Sequence, residues 1–191
     1  FKADIKIMKI FSTIVLGLII TFKVMAYEEA NYEVVKQNKI YEIRKYSDRL
    51  AIETITSNQG SSFRKLFNYI SGNNENKEEI SMTTPVTQIE KKEGMTMQFY
   101  LPSGFNKNNI PSPTNPDVKI LDIKGGYYAV IRYSGRASDK NFTKHKEILK
   151  NELKKNNIII LSSAIKATYD KPFTLPMLRR NEAMFKIDIN L

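Results

Sequence analysis

The first half of the chain alternates apolar and polar residues and then changes to a helical period. Residues 32–57 alternate loosely, are rich in Ile, Tyr and Thr, and are split by a polar turn at residues 47–49, a pattern that predicts a β-hairpin. A helix is predicted next, because four apolar residues recur at i, i+3, i+4 and i+7: Phe63, Leu66, Phe67 and Ile70. Ser61 or Ser62 is the expected N-cap and Gly72 the expected stop. Two strands, within residues 85–91 and 95–102, complete this half.

The second half repeats that order after a Pro- and Asn-rich connector at residues 105–117. Residues 118–135 predict a hairpin with a Gly-Gly turn, and a helix is expected from Ser138 to about Asn156. Strands within residues 158–170 and 183–191 follow, separated by a loop at residues 171–182. Short turns join neighbouring strands, so the sheet should be largely antiparallel. The order predicts an α+β fold, a curved or barrel-like sheet carrying two helices.

Composition limits the chemistry available to this sequence. The chain has 191 residues, 41% of them hydrophobic and 26% charged, which are the values of one globular domain. It has no Cys and a single His, His145, so thiolate chemistry, a histidine pair and a multi-histidine metal site cannot form within one chain. No nucleophile–base pair can be assembled from the sequence, and no metal site or catalytic residue is predicted.

The first 26 residues have the pattern of a secretory signal peptide. A basic start precedes the 13-residue apolar run "IFSTIVLGLIITF", and "VMA" follows as a cleavage site. The run is shorter than the roughly 20 residues of a membrane span, although a retained N-terminal anchor is the alternative. We therefore expect residues 27–191 to be one exported domain, periplasmic or secreted, with no membrane span once the leader is removed.

Positive charge is the other feature of the composition. Loss of residues 1–26 would remove four Lys and one Asp, which lowers the net charge from +10 to +7. The remaining Lys residues are scattered without a long basic run, which is typical of a solvated surface. An exported protein also meets little nucleic acid, so no nucleic-acid partner is expected.

Six blocks of sequence, in this order, resemble the SOUL heme-binding protein family. Two of them hold specific motifs, "MTTPV" at residues 82–86 and "RRNE" at residues 179–182. The resemblance extends over residues 32–189, through the blocks "YEVVKQNKIYEIRKYSDRLAIET", "FRKLFNYISGNN", "ISMTTPVTQ", "MTMQFYLP", "YYAVIRYSG" and "YDKPFTLPMLRRNEAMFKI".

The family resemblance implies both a fold and a ligand. The implied fold is a distorted antiparallel β-barrel of two β-α-β-β repeats with two flanking helices, similar to the effector-binding domains of some transcription regulators. The implied ligand is heme or another tetrapyrrole, held in a shallow apolar groove between the first helix and the loop before the last strand. The function expected from it is reversible carriage or buffering by a monomer, without catalysis.

A tetrapyrrole site needs flat apolar walls and cations for the propionates. The helix would supply one wall with Phe63, Leu66, Phe67 and Ile70, beside Arg64 and Lys65. The loop would supply the other wall with Phe173, Leu175, Met177 and Leu178, and cations with Lys171, Arg179 and Arg180. The alternative is that the helical residues are ordinary core. The loop is the stronger candidate, because apolar residues on a Pro-rich loop are otherwise exposed to water.

Iron ligation is expected to be weak. His145 lies on the apolar side of the second helix, where a half-buried histidine with a hydrogen-bond partner is the expected role. Tyr69, Met82 or Met177 could ligate iron in principle. We predict no strong histidine ligation and only micromolar or weaker heme affinity.

Two motifs are open to more than one interpretation. The corner at residues 82–86 is expected to be architectural, with Pro85 holding Thr84 extended and Met82 as an apolar plug, or else to form a ligand rim. Glu182 adjoins an apolar strand, so its carboxylate is expected to be buried and satisfied by an Arg or by backbone amides. Alternatively it faces the groove as a base, which gives the competing hypothesis of a small-molecule hydrolase or sensor. A third hypothesis is an envelope interaction module that binds no heme.

Overall fold

The fold is described from a computed structural model, which describes residues 27–55 and 58–189. The expected signal peptide lies outside these residues. None of the helices in the described ranges is both long and apolar enough to span a bilayer. The predicted α+β class is confirmed: one curled antiparallel sheet forms a half-barrel and carries two helices on one face.

Within residues 27–55 and 58–189 the sheet contains ten strands, and a two-stranded parallel ladder lies beside it. The main path runs β2-β3-β9-β12-β11-β6-β7-β4-β8, with β10 paired to β12, while β1 pairs with β5. The strands are β1 Glu28–Glu29, β2 Tyr32–Gln37, β3 Glu42–Tyr46, β4 Arg49–Ile55, β5 Thr83–Thr84, β6 Val86–Lys91, β7 Gly94–Tyr100, β8 Lys119–Ile123, β9 Gly126–Tyr133, β10 Ile159–Ile160, β11 Ile165–Thr168 and β12 Asn181–Asp188.

The two predicted hairpins are wrong, because in each case the two strands that flank the turn do not pair with each other. Residues 32–46 form a hairpin of their own, β2 with β3, whereas β4 pairs with β7 and β8. Likewise β8 and β9 flank the Gly-Gly turn, but β9 pairs with β3 and β12. The chain therefore crosses from one half of the sheet to the other at residues 47–48 and returns at residues 124–125.

These two crossing corners pack directly on each other. Asp48 accepts hydrogen bonds from the Gly125 amide at 2.9 Å and from Lys124 Nζ at 2.7 Å. A Cβ on Gly125 would stand only 2.4 Å from the carbonyl oxygen of Tyr46. The corners meet so closely that one of them has to lack a side chain.

Two helices pack on the same face of the sheet. Helix α1 spans Gln59–Ile70 and helix α2 spans Asp139–Lys155. The predicted bounds of α2, Ser138 and Asn156, are its N-cap and C-cap, and Gly72, the expected stop of α1, follows that helix with φ of +95°. The N-cap of α1 is Asn58 and not a serine, because its side chain accepts from the amides of Gly60 and Ser61.

Each helix covers its own core cluster. Leu66 and Ile70 of α1 pack with residues of β4 and β7, such as Ile52 and Phe99. Under α2 the core is built by β3, β9 and β12 with Leu149 and Leu153 of the helix. A groove is left between the helices, and its floor is formed by β6 and β11 at the middle of the sheet.

Two local predictions need correction. The last strand begins at Asn181, two residues earlier than predicted, because Asn181 and Glu182 already pair with β9 and β11. The strand expected in residues 158–170 is split into β10 and β11.

The corner at residues 82–86 is attached to the rest of the fold by nonlocal contacts. The Thr83 hydroxyl donates to the Tyr100 carbonyl at 2.6 Å, and Met82 packs against the α1 core.

A buried ion pair lies on the sheet face opposite the helices. Glu182 is fully buried and accepts two bonds from Arg44, at 2.9 and 3.1 Å. Arg180 Nε donates to the same carboxylate at 3.0 Å and the Tyr169 hydroxyl at 2.7 Å. This confirms the interpretation of Glu182 as an arginine-satisfied buried carboxylate.

The surroundings of Glu182 fix the protonation of its partners. Burial lowers the pKa of Arg44, but its hydrogen bonds to Glu182 and the carboxylate charge outweigh that effect and raise the pKa above its ordinary value. Burial, followed by the charge of Glu182, holds the pKa of Tyr169 well above 10. Tyr169 is therefore a constant hydrogen-bond donor at neutral pH.

Replacing Gly125 with Ala should destabilise the fold, because the new methyl group would meet the Tyr46 carbonyl. We expect Gly125→Ala to lower the free energy of unfolding by about 1–3 kcal/mol, the usual cost of overpacking. Gly104→Ala is the matched control: its Cβ meets nothing within 4 Å, and its effect should stay below about 1 kcal/mol. Urea unfolding measures both, and equal midpoints would contradict the packing of the corners.

Removing the charge of Glu182 should cost much more than removing an exposed one. Glu182→Gln removes the buried carboxylate that Arg44 and Arg180 share and leaves Arg44 with Glu42, and Arg180 with Glu29, as carboxylate partners. We expect a loss of about 3 kcal/mol in the free energy of unfolding, the lower end of the cost of breaking a buried pair. Asp117→Asn breaks the Lys65–Asp117 pair at the surface and should cost at most about 1 kcal/mol. Chemical denaturation measures the free energy of unfolding of both variants. An equally small loss in Glu182→Gln and Asp117→Asn would show that the buried ion pair is dispensable.

Candidate functional site

An apolar groove of about 470 Å³ lies beside helix α1. We call it the α1 groove. One side is formed by α1, the floor by β6, β7 and β11, and the other side by the start of the loop that follows β11. Its lining residues are Tyr27, Gln59, Gly60, Phe63, Phe67, Met82, Thr84, Val86, Gln88, Met97, Ala137, Lys166, Thr168, Tyr169, Asp170, Lys171 and Pro172.

Two phenyl rings of α1 provide a flat wall. Phe63 and Phe67 stack with centroids 5.9 Å apart and an interplanar angle of 14°, and both remain over 40% exposed. Phe63 is braced from below by the edge of Phe99 at 5.2 Å. Leu66 and Ile70, the other two residues of the predicted wall, are buried in the core and do not line the groove.

The predicted cations Arg64, Lys65 and Lys171 are not gathered at the groove. Lys65 turns away and pairs with Asp117 of the connector at 2.6 Å. Arg64 is exposed on the helix and is not a lining residue. Lys171 does line the groove, where its ammonium lies 5.5 Å from the centre of the Tyr27 ring.

The loop of residues 170–180, which we call the apolar loop, carries large side chains in contact with water. Phe173, Leu175 and Met177 are 83%, 59% and 74% exposed, and Leu178 is similar. They do not line the α1 groove, although Lys171 and Pro172 at the start of the loop do. A short 3-10 helix, Pro176–Leu178, shapes the tip of the loop.

Polar contacts hold the apolar loop in place. The guanidinium of Arg179 donates to the carbonyls of Thr174, at 2.7 Å, and Pro172. The Gly135 amide donates to the Pro176 carbonyl at 2.8 Å. Arg180 binds Glu29 and Glu182 at the base. Arg179 and Arg180 are thus supports of the loop, which leaves Lys171 as the predicted cation that borders the groove.

His145 lies away from the α1 groove. Its Nδ1 is 2.8 Å from the Asn141 carbonyl oxygen, and its ring stacks on Tyr133 at 4.0 Å. The side chain is partly buried, as the sequence predicts. Within the described ranges there is no group of three or more His, Asp or Glu side chains placed to hold a metal ion.

Several lining residues were not singled out from the sequence as ligand contacts. Val86 and Gln88 share one face of β6, and Lys166 and Thr168 share one face of β11, so a period of two relates each pair. The sequence shows this period. It does not show which strands pair, and therefore does not show which face of β6 and β11 lies beside α1. Met82, by contrast, is predicted from the sequence both as part of the corner and as a possible iron ligand, and it lines the groove.

Solved structures of similar fold have distant sequences. The crystal structure of the EcmrR C-terminal domain is 13% identical, with a TM-score of 0.56 over 82% of this chain and 98% of that one. A hydrolase from Listeria innocua is 7% identical, with a TM-score of 0.57 over 81% and 94%. An uncharacterized conserved protein from Listeria innocua is 8% identical, with a TM-score of 0.59 over 80% and 94%. At these identities the similarity shows a shared fold.

The sequence comparisons identify the family. No curated protein matches the chain significantly. The family model described as SOUL heme-binding protein matches residues 27–186, a range that includes both helices and both sides of the α1 groove. This match covers most of the chain and agrees with the motifs at residues 82–86 and 179–182. The chain therefore belongs to the SOUL heme-binding protein family.

Proposed function

We propose that the chain reversibly binds heme or a related tetrapyrrole in the α1 groove, for carriage or buffering. The observation that carries this proposal is the parallel, half-exposed pair of Phe63 and Phe67 along an apolar groove. Aromatic faces that remain in water are a favourable surface for a flat conjugated ligand. Family membership supports the same ligand class.

The apolar loop supports the proposal from the other side of the groove. Its exposed apolar side chains follow Lys171 and Pro172, two lining residues of the groove, directly in the chain. A disc that leans on Phe63 and Phe67 and reaches this loop would remove both surfaces from water. Lys171 would then lie at the rim, where an ammonium can pair with a propionate.

Weak iron ligation is part of the proposal. The groove lining offers the thioethers of Met82 and Met97, which can ligate iron as neutral groups, together with the tyrosines Tyr27 and Tyr169. Tyr169 is committed to Glu182 by its hydrogen bond. Binding should therefore depend on the apolar face of the macrocycle more than on its metal.

The competing hydrolase hypothesis receives less support from the geometry. One structural neighbour is described as a hydrolase, but it shares only the fold with this chain. Glu182, the carboxylate that the hypothesis requires, accepts bonds from Arg44, Arg180 and Tyr169 and does not line the α1 groove. Its oxygens are already occupied by these donors and are not turned toward a ligand in the groove.

Removing the phenyl pair should weaken porphyrin binding. We expect the Phe63→Ala, Phe67→Ala double variant to bind protoporphyrin at least about tenfold more weakly than the unsubstituted chain, because stacking on two rings is lost. Titration followed by Soret absorbance and tyrosine quenching measures the affinity, with hemin as a second ligand. Hemin and protoporphyrin should bind with similar affinity.

The matched control for that experiment is Ile40→Ala. Ile40 is 42% exposed, like Phe63, but lies at the β2–β3 turn and does not line the α1 groove. The Ile40→Ala variant should bind protoporphyrin with the same affinity as the unsubstituted chain. Saturable binding that survives loss of both phenyl groups would remove the α1 groove as the site, and no saturable binding by the unsubstituted chain would refute the function.

Replacing His145 should not alter the heme spectrum. His145 is engaged by Asn141 and Tyr133 and does not line the α1 groove. We expect His145→Ala to keep the position and height of the Soret band of bound hemin. A displaced or lost band would identify His145 as an axial ligand and would place the iron outside the α1 groove.

A further inference from the structure

Two polar pairs stand side by side between the helices. Gln59, the first residue of α1, donates from Nε2 to Gln88 Oε1 at 3.2 Å. Lys166 donates from Nζ to Oδ1 of Asp139, the first residue of α2, at 2.8 Å. Gln88 and Lys166 are direct partners in the register of β6 and β11. The four side chains form what we call the polar ridge, which runs from one helix start to the other.

The polar ridge is a wall shared by two grooves. Gln88 and Lys166 line the α1 groove, and they also line a second groove of about 600 Å³ beside α2, the α2 groove. Phe142, Ile160 and Phe185 supply apolar surface to the α2 groove, and it is bordered by Lys91, Lys92, Lys146 and Lys150. Lys166 therefore lies at the boundary between the two grooves.

The two pairs of the ridge differ in charge and in burial. Gln59 and Gln88 are neutral, whereas Lys166 and Asp139 form an ion pair. Lys166 is only 6% exposed, but the Asp139 side chain is 80% exposed. Water screens the charge of an exposed carboxylate, so Asp139 compensates only weakly for the burial of the ammonium.

Lys166 also has hydrogen-bonding capacity to spare. A lysine ammonium carries three protons that can be donated. Asp139 accepts one of them, and among residues 27–55 and 58–189 the Lys166 ammonium has no second hydrogen-bond partner. A buried, incompletely paired cation at the meeting point of two apolar grooves is suited to an anionic ligand group.

We propose that Lys166 binds the carboxylate of the groove ligand, so that the site selects acidic ligands over esterified ones. This inference rests on the proposed function and adds to it the ligand group that is recognised. A ligand on the Phe63 and Phe67 wall that reaches the ridge brings its acid group beside Lys166. That position excludes much of the solvent, so the ion pair there is stronger than one with the exposed Lys171.

The experiment compares protoporphyrin with its dimethyl ester, which keeps the macrocycle and removes both charges. The full unsubstituted chain should bind the diacid at least about tenfold more tightly, the effect of one charge-assisted hydrogen bond. In Lys166→Met the preference should fall below about threefold while ester binding stays unchanged. Unchanged ester binding shows that the variant is folded with its groove intact.

Two control variants separate recognition from a structural role. Lys150→Met removes an exposed lysine at the edge of the α2 groove and should retain the full preference for the diacid. Asp139→Asn removes the partner of Lys166 but leaves the ammonium in place, so the preference should be retained or increased. If Lys166 served only to fasten α2 through Asp139, Asp139→Asn would behave like Lys166→Met, and the inference would be wrong.

Failure of the inference and failure of the proposed function give different results. If both porphyrins bind but the preference survives in Lys166→Met, the inference is overturned and tetrapyrrole binding stands. If neither porphyrin binds saturably, tetrapyrrole binding fails, and the same variants are titrated with anionic 1-anilinonaphthalene-8-sulfonate and neutral N-phenyl-1-naphthylamine. A preference for the sulfonate that requires Lys166 would then keep the inference, and a preference independent of Lys166 would end it.

Discussion

The buried carboxylate of Glu182 joins parts of the chain that are distant in sequence. Arg44 reaches it from β3, while Tyr169 and Arg180 reach it from the two ends of the apolar loop. One buried charge thus closes the base of the loop and attaches it to the sheet. Because an unpaired charge is costly in such surroundings, the loop keeps its position although its tip has little apolar contact with the rest of the protein. The hydrogen bonds of Glu182 on one face of the sheet thereby help to position Lys171 and Pro172, which line the α1 groove on the other face.

The middle of the sheet has a second organising role. β6 and β11 occupy equivalent places in the two repeats and pair with each other, so residues near their centre belong to both halves at once. Helix α1 meets this line at Gln59 and α2 meets it at Asp139. The same position in the repeat holds a neutral contact in one half and an ion pair in the other. Because Gln88 and Lys166 line both grooves, this difference in charge lies on the wall that the two grooves share.

The elements that depend on interactions between residues close in sequence could be predicted from the sequence. Helical periodicity and capping residues located α1 and α2, and the alternating segments located most strands. Strand partners were wrong at both corners because a strand–turn–strand pattern does not reveal that the two strands separate into different halves. The helical stripe shows the same limit: Leu66 and Ile70 face the sheet, whereas Phe63 and Phe67, one turn earlier in each case, lie at its edge. Phe63 and Phe67 are separated by four residues, as are Leu66 and Ile70, so the sequence pattern cannot tell the two pairs apart. Only the position of the sheet shows which pair is core and which is groove wall.

The crossing of the chain between the two halves bears on how such a fold can arise. The hairpin β2–β3 joins the strands around α2, and β8 joins those around α1, so each repeat completes the sheet of the other. A single repeat standing alone would leave strand edges unpaired, and a second copy related by two-fold symmetry would cover them. In that sense the chain has the architecture of a domain-swapped homodimer with its two subunits joined in one polypeptide. Two halves in one polypeptide can differ in sequence, and the lysine opposite a glutamine at the β6–β11 pair is a difference that two identical subunits could not have.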